Sequence, residues 1–292
     1  MISKGEKNLK KLIVIITLIA ILFTGCSSEK KTVNDDVTEK TSPSNNKQTK
    51  PQSSLLDNID TTKSPFEKGY YDYEGSISNN MPIQMSIYPL VEDIVGSYFH
   101  ESKKKEIKLK GKAGEKDIVL YEYDKEGKNT GIFKGTRDAD DKIEGTWISA
   151  DNKTSYPFTL SLKSYLPGVE YGKRYAVAVG TESDQDVENF VNKIQSYVVN
   201  DNKKKLAEQV RYPISVKIND KITKIQNVDE FIKNYNEIFN AKYKQVISDA
   251  FIKYMFVNWQ GIMFGPGLYN MWISETTNAD GNAKLMIVAI NN

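Results

Sequence analysis

Four times between residues 70 and 148 the chain sets a glycine and a hydroxyl residue inside a run of large side chains: "YEGSI", "VGSYF", "FKGTR" and "IEGTW". Glycine weakens a strand, so a glycine kept inside one marks a bend or a close approach of another backbone. Repeated from strand to strand, it predicts a meander that curls tightly on itself, as in a small barrel. Strand-like runs fall at 70–77, 83–88, 94–99, 106–110, 118–123, 131–136, 142–148 and 155–162. Turn signals separate them: Asn79-Asn80, Gly111 to Gly114, Glu126-Gly127-Lys128, Asp138 to Asp141 and Asp151-Asn152. Residues 66–165 are therefore expected to form an all-β antiparallel meander or barrel.

The grammar changes after a linker at 166–184. From 185 to 292 the pattern predicts an α+β region. Val187, Phe190, Val191, Ile194, Tyr197 and Val198 recur at helical spacing behind Asp186. A short helix over 206–210 and a strand over 212–218 follow. Asn219-Asp220 suits a two-residue hairpin turn into a strand at 222–225. Asn227 and Glu230 are spaced to start a helix that carries Phe231, Tyr235, Ile238 and Phe239 on one side. An amphipathic stretch with Tyr243, Val246 and Ile247 comes next, then strands over 255–264, 268–273 and 285–290. The stretches "YPISVKINDKITKIQNVDEFIKNYNEIF" and "FVNWQGIMFGPGLYNMWI" carry a likeness of element order: residues 185–292 resemble the NTF2-like α+β family. The resemblance implies a curved sheet wrapped on helices around a cone-shaped cavity, which some members use for ligands or catalysis and others fill. It implies no particular activity.

The N-terminus speaks to address. Lys4, Lys7, Lys10 and Lys11 precede an apolar run over 12–23, interrupted only by Thr17, and Thr24-Gly25-Cys26 follows. That is the layout of a secretory signal. At ~1.5 Å per residue the run spans about 18 Å, short of a hydrocarbon core near 30 Å. The segment ending in Cys26 resembles a bacterial lipobox, with Phe23 where leucine is commoner. The resemblance implies acylation of the Cys26 thiol and cleavage before it. Cys26 is the only cysteine, so it has no disulfide partner in the chain. Residues 1–25 thus read as a lipoprotein signal peptide and 26–65, rich in Ser, Thr, Asn, Lys and Pro, as a disordered tether. The precursor has 40 basic and 38 acidic residues; losing four lysines and Glu6 leaves 36 against 37. Such a balance argues against a nucleic-acid partner. The expected partners are a membrane, through acylated Cys26, and a small ligand or envelope protein on the extracytoplasmic face. Abundant Lys, Asn and Ile hint at an AT-rich genome and a Gram-positive source.

No catalytic or cofactor motif stands out. His100 is the only histidine, and the lysines after it in "GSYFHESKKKE" predict that it faces solvent. A histidine triad in the C-terminal region and a multi-histidine metal site are thereby excluded, and no metal or cofactor is expected. "RDADDKIEG" has no glycine at the sixth and no glutamate at the twelfth position that a calcium loop requires, and reads as a hairpin turn. "ESKKKEIKLKGK" reads as a solvated basic face whose lysines also protect a strand edge, with anionic lipid or wall polymer as the other reading. In "FVNWQGIMF", read as one strand, Asn258 and Gln260 share an apolar face. Both then need partners, because an unpaired buried amide costs about 1–3 kcal/mol. A ligand in the cone could supply them, as could Tyr235 or backbone. Tyr235, Asn258, Gln260, Tyr269 and Trp272 are the candidate ligand-binding residues. A binding module is the leading expectation. A hydrolase or isomerase in the cone and a structural or assembly role in the envelope are the alternatives.

Overall fold

A computed structural model describes residues 55–100, 105–180, 183–277 and 281–292. Cys26, the signal and most of the tether lie outside the described residues. Eight strands follow one another without a helix: β1 (Gly69–Ile77), β2 (Met81–Leu90), β3 (Asp93–His100), β4 (Lys105–Ala113), β5 (Asp117–Tyr123), β6 (Asn129–Arg137), β7 (Ile143–Ser149) and β8 (Ser155–Pro167). Each pairs antiparallel with the next, and β8 returns to β1, closing the barrel.

The glycines explain the curl. A Cβ on Gly75 would fall on the carbonyl oxygen of Thr159, and one on Gly96 on that of Ser86. Gly135 and Gly145 face each other across β6 and β7, and a Cβ on Gly145 would fall on the Lys134 carbonyl oxygen. Alternation then fills the interior with Tyr73, Ile83, Met85, Ile87, Ile118, Leu120, Phe133 and Leu160, all nearly inaccessible. One carboxylate, Glu122, sits among them at 3 % exposure. It accepts hydrogen bonds from Tyr98 Oη (2.7 Å), Trp147 Nε1 (2.9 Å) and Thr130 Oγ1 (2.9 Å), which satisfy the buried charge. His100, expected at the surface, is only 8 % exposed. It ends β3 opposite Ile83 with its side chain on the interior side, a position the period of two assigns once the strand is known to reach it.

The Asp-rich segment forms the β6–β7 turn, where Asp138 Oδ1 accepts the amides of Asp140 and Lys142, both at 2.9 Å. Outside β5 and β6, Val119, Tyr121 and Ile132 make a small apolar cluster against which Leu56 and Ile59 pack. The stretch read as spacer thus contributes its last residues to the barrel wall.

The C-terminal part is a mixed α/β region: α1 (Asp184–Val199), α2 (Lys203–Ala207), β9 (Ile214–Ile218), β10 (Lys221–Ile225), α3 (Val228–Ile238), α4 (Ala241–Asp249), β11 (Phe256–Asn258), β12 (Gly261–Phe264), β13 (Asn270–Thr277) and β14 (Ala283–Asn291). β9 and β10 form a hairpin, and β11 to β14 an antiparallel sheet. Helix α1 starts at a capping box between Ser183 and Asp186 and buries Val187, Val191, Ile194 and Val198 completely. Burying four such side chains contributes roughly 6–12 kcal/mol gross, against the entropy of ordering the helix. Asn202, rather than a residue near Leu206, caps α2, so that helix begins earlier than its apolar positions suggest. Asn219 and Asp220 take φ of 49° and 60° and make the expected tight turn.

One strand is not as predicted. Residues 255–264 are a tight hairpin, with the turn at Trp259-Gln260. Asn258 Oδ1 accepts the Gln260 amide at 2.8 Å, and Gly261 follows with φ of 145°. An asparagine that can bond the backbone two residues on competes with the extended ladder, and here it wins.

Candidate functional site

On the outside of the barrel, the residues that alternate with the core bring small polar groups into one row. Asp72 on β1 pairs with Ser86 on β2, Ser86 with Ser97 on β3, and Ser97 with Lys108 on β4. The chain leaving β8 folds back over this row and lays Arg174 into it. The guanidinium reaches Asp72 with both terminal nitrogens, one of them 3.0 Å from Oδ1, and donates to Ser86 Oγ at 3.2 Å. Arg174 is 3 % exposed and Asp72 8 %. The rings of Tyr70, Tyr254 and Tyr175 stand 5.1, 5.6 and 6.0 Å from the guanidinium carbon. Its Nε is buried without a hydrogen-bond partner among the described residues.

A second layer joins the two regions beside this pair. Ser97 Oγ donates to Glu106 (2.8 Å) and shares a 2.5 Å hydrogen bond with Tyr254 Oη. Lys253 bridges Glu106 (3.1 Å) and Glu188 of α1 (2.8 Å). Phe99 stacks on Phe251 at 3.6 Å. Tyr70 Oη donates to Asp184 at the start of α1 (3.1 Å) and accepts the Gly172 amide (2.7 Å). These contacts enclose a cleft of about 360 Å³ between the barrel wall and the N-terminal turn of α1, with Tyr171 and Gln185 at its lip.

Burial sets the electrostatics. It raises the Asp184 carboxyl above the ordinary range, against the Tyr70 hydroxyl, nearby backbone amides and Arg174, which pull it down. It raises Glu188 likewise, with Lys253 acting in the other sense. Burial works against the charge on Lys253, but Glu188 and Glu106 more than offset it and hold the ammonium above its usual value. A lysine kept protonated between two carboxylates donates hydrogen bonds but cannot take a proton.

The residues singled out by sequence are spread out. Tyr235, on α3, is fully buried and ring-stacked on Phe239 at 5.0 Å. Asn258 and Gln260 bond each other at the hairpin tip beside exposed Trp259. Trp272 packs edge-on to Phe256 at 6.2 Å. Tyr269 packs against Tyr243 at 5.6 Å and lines a groove of about 890 Å³ that includes none of the other four. Sequence reading missed the junction cluster. Its one available signal is that the chain has only three arginines among its 40 basic residues. One of the three lies in the segment taken for a linker, and a planar fork suits a buried carboxylate better than an ammonium does. Among the described residues no group of three His, Cys, Asp or Glu could hold a metal ion, and no helix is long and apolar enough to cross a membrane.

No protein-family model matches this chain, and no curated protein matches it.

Proposed function

We propose that the protein is a lipid-anchored extracytoplasmic binding protein, held to a membrane through acylated Cys26, with its ligand seat in the cleft where the barrel meets an NTF2-like C-terminal region. The observation that carries the seat is the convergence of buried Arg174 and Glu188 with half-buried Asp184 and Lys253 on an open cleft of about 360 Å³. Charged groups are costly to bury, and a site that holds several beside an opening is a candidate for recognition. The order of helices, hairpin, helices and consecutive strands supports the NTF2-like reading. Within that region Phe231, Tyr235, Phe239 and Tyr243 pack ring on ring with almost no exposed surface. This favours the junction over the cone as the ligand seat. Binding is favoured over turnover because Lys253 is locked in its charged form and Ser97 is held between Glu106 and Tyr254, which leaves no free base beside Ser97 among the described residues.

Two experiments test the reading. Cells expressing the chain and fed an alkyne fatty acid should label the wild type and leave Cys26→Ser unlabelled; equal labelling refutes the anchor. A thermal-shift panel of small anionic, zwitterionic and sugar ligands should yield one that stabilises the wild type and loses its effect in Gln185→Trp, which fills the cleft mouth. A hit indifferent to that substitution places the ligand elsewhere.

A further inference from the structure

A trough of about 690 Å³ runs from the same cleft over the outside of β3, β4 and β5, sharing Gly96, Glu106, Lys108 and Tyr171 with it. Its charged lining is Lys105, Glu106, Lys108, Lys110, Asp124 and Lys125. The acidic members are already engaged. Glu106 accepts from Ser97 and Lys253, and Asp124 Oδ1 accepts the amides of Glu126 and Lys128. Lys110 pairs with Asp93 at 2.9 Å, whereas Lys108 and Lys125 make no ion pair with a described residue. The ordinary reason for outward lysines on a strand is to keep an edge from pairing. That reason does not apply here, because β4 is bonded to β3 on one side and β5 on the other in a closed barrel.

We infer that this trough binds a linear phosphodiester-linked polyol or sugar chain. Lys108 and Lys110 lie two residues apart on one face of a strand, so they repeat at about 6.6 Å, and Lys125 continues the charge onto the next hairpin. Ammonium groups are point charges without the fork geometry that grips a single carboxylate, and strung along an open trough they suit repeated charge. Tyr123 and Tyr171 offer apolar walls to the units between phosphates. The positive charge is local, in a chain whose mature portion is close to neutral, so it lacks the broad basic face that gathers nucleic acid. The inference rests on the binding reading above and extends its seat outward.

The test uses the full chain in neutral detergent and labelled poly(glycerol phosphate), read by fluorescence anisotropy. Binding is expected at 50 mM salt and to weaken at least tenfold at 300 mM. Lys108→Gln/Lys125→Gln is expected to weaken it at least fivefold, and Lys221→Gln/Lys224→Gln on β10 less than twofold. Both lysine pairs are on the surface, and the salt titration needs no variant. Absence of binding at 50 mM salt, or equal losses in the two variants, overturns the inference. Competition by soluble dihexanoyl-phosphatidylglycerol as effective per phosphate as the polymer overturns it in favour of a lipid headgroup. Oligothymidine binding as tightly per phosphate overturns it in favour of nucleic acid. Small ligands from the thermal-shift panel that stabilise the wild type and lose their effect in Gln185→Trp, a residue outside the trough, would leave the cleft reading standing when the trough fails.

Discussion

Replacing Asp72 with asparagine removes the negative half of the pair that Arg174 makes at the junction. The guanidinium is 3 % exposed, so water cannot take over. Stranding one partner of a buried ion pair costs about 3–5 kcal/mol. The Tyr70 and Tyr254 rings, at 5.1 and 5.6 Å, and Ser86 Oγ remain as partners and place the expected loss near 3 kcal/mol. For a unit of this size each kcal/mol moves Tm by about 2–4 °C, so Asp72→Asn should lower it by roughly 6–12 °C. The assay is a thermal melt followed by far-UV circular dichroism and by tryptophan fluorescence. Trp147 reports from the barrel and Trp259 and Trp272 from the C-terminal sheet, so a loosened junction should also pull the two signals apart. The double variant Asp72→Leu/Arg174→Met carries no stranded charge and should recover most of the loss. A drop under about 2 °C for Asp72→Asn, or a double variant worse than either single, would refute the claim that this pair is buried and coupled.

Other consequences are open to measurement. Asp184 and Glu188 have carboxyls raised by burial, so each favours the folded state most when protonated, and its contribution falls as pH rises from about 4 through the raised folded value. The stability of wild type minus that of Asp184→Asn/Glu188→Gln, from urea midpoints, should therefore be more positive at pH 4 than at pH 7.5; a difference independent of pH sinks the argument. Gly111→Ala would drive its Cβ into the Val119 carbonyl and should cost about 3 kcal/mol, whereas Gly127→Ala, with φ of 79° and open space around it, should cost about 1 kcal/mol in the same urea titration. Tyr98→Phe takes one donor from buried Glu122 and should cost about 1–3 kcal/mol; a neutral result would mean that Trp147 and Thr130 alone satisfy the carboxylate.

The barrel was legible because its information is local. Alternation, turn residues and glycines such as Gly96, Gly111 and Gly135 lie within about ten residues of the contacts they dictate, and all eight expected strands formed; Gly75, which meets Thr159 on β8, is the long-range exception. The helices declared themselves through Asn227 and the stripe from Val187 to Val198. The β11–β12 hairpin was missed because "FVNWQGIMF" reads as an unbroken apolar run unless Asn258 is recognised as a side chain that bonds its own backbone. The junction was invisible for a different reason. Asp72, Ser86 and Ser97 read as the solvent side of three strands, and nothing in that alternation says that another part of the chain will cover them. Arg174 meets Asp72 across 102 residues, a separation over which periodicity carries no signal.

The pairing of β8 with β1 also sets a clock for a chain made from its N-terminus. Gly69 is held opposite Pro167, so β1 waits for nearly a hundred residues to be synthesised before its second neighbour exists. At about 5–20 residues per second that interval is of order 5–20 s. Throughout it, β1 to β7 can form at most an open sheet with an unprotected edge, the state most prone to pairing with another chain. Arg174 emerges seven residues after Pro167 and fastens to β1 only once the cylinder is complete. A polypeptide halted before residue 158 would keep the outer edge of its first strand unpaired, so protection from edge-to-edge association arrives only as β8 is made, well ahead of the end of the chain.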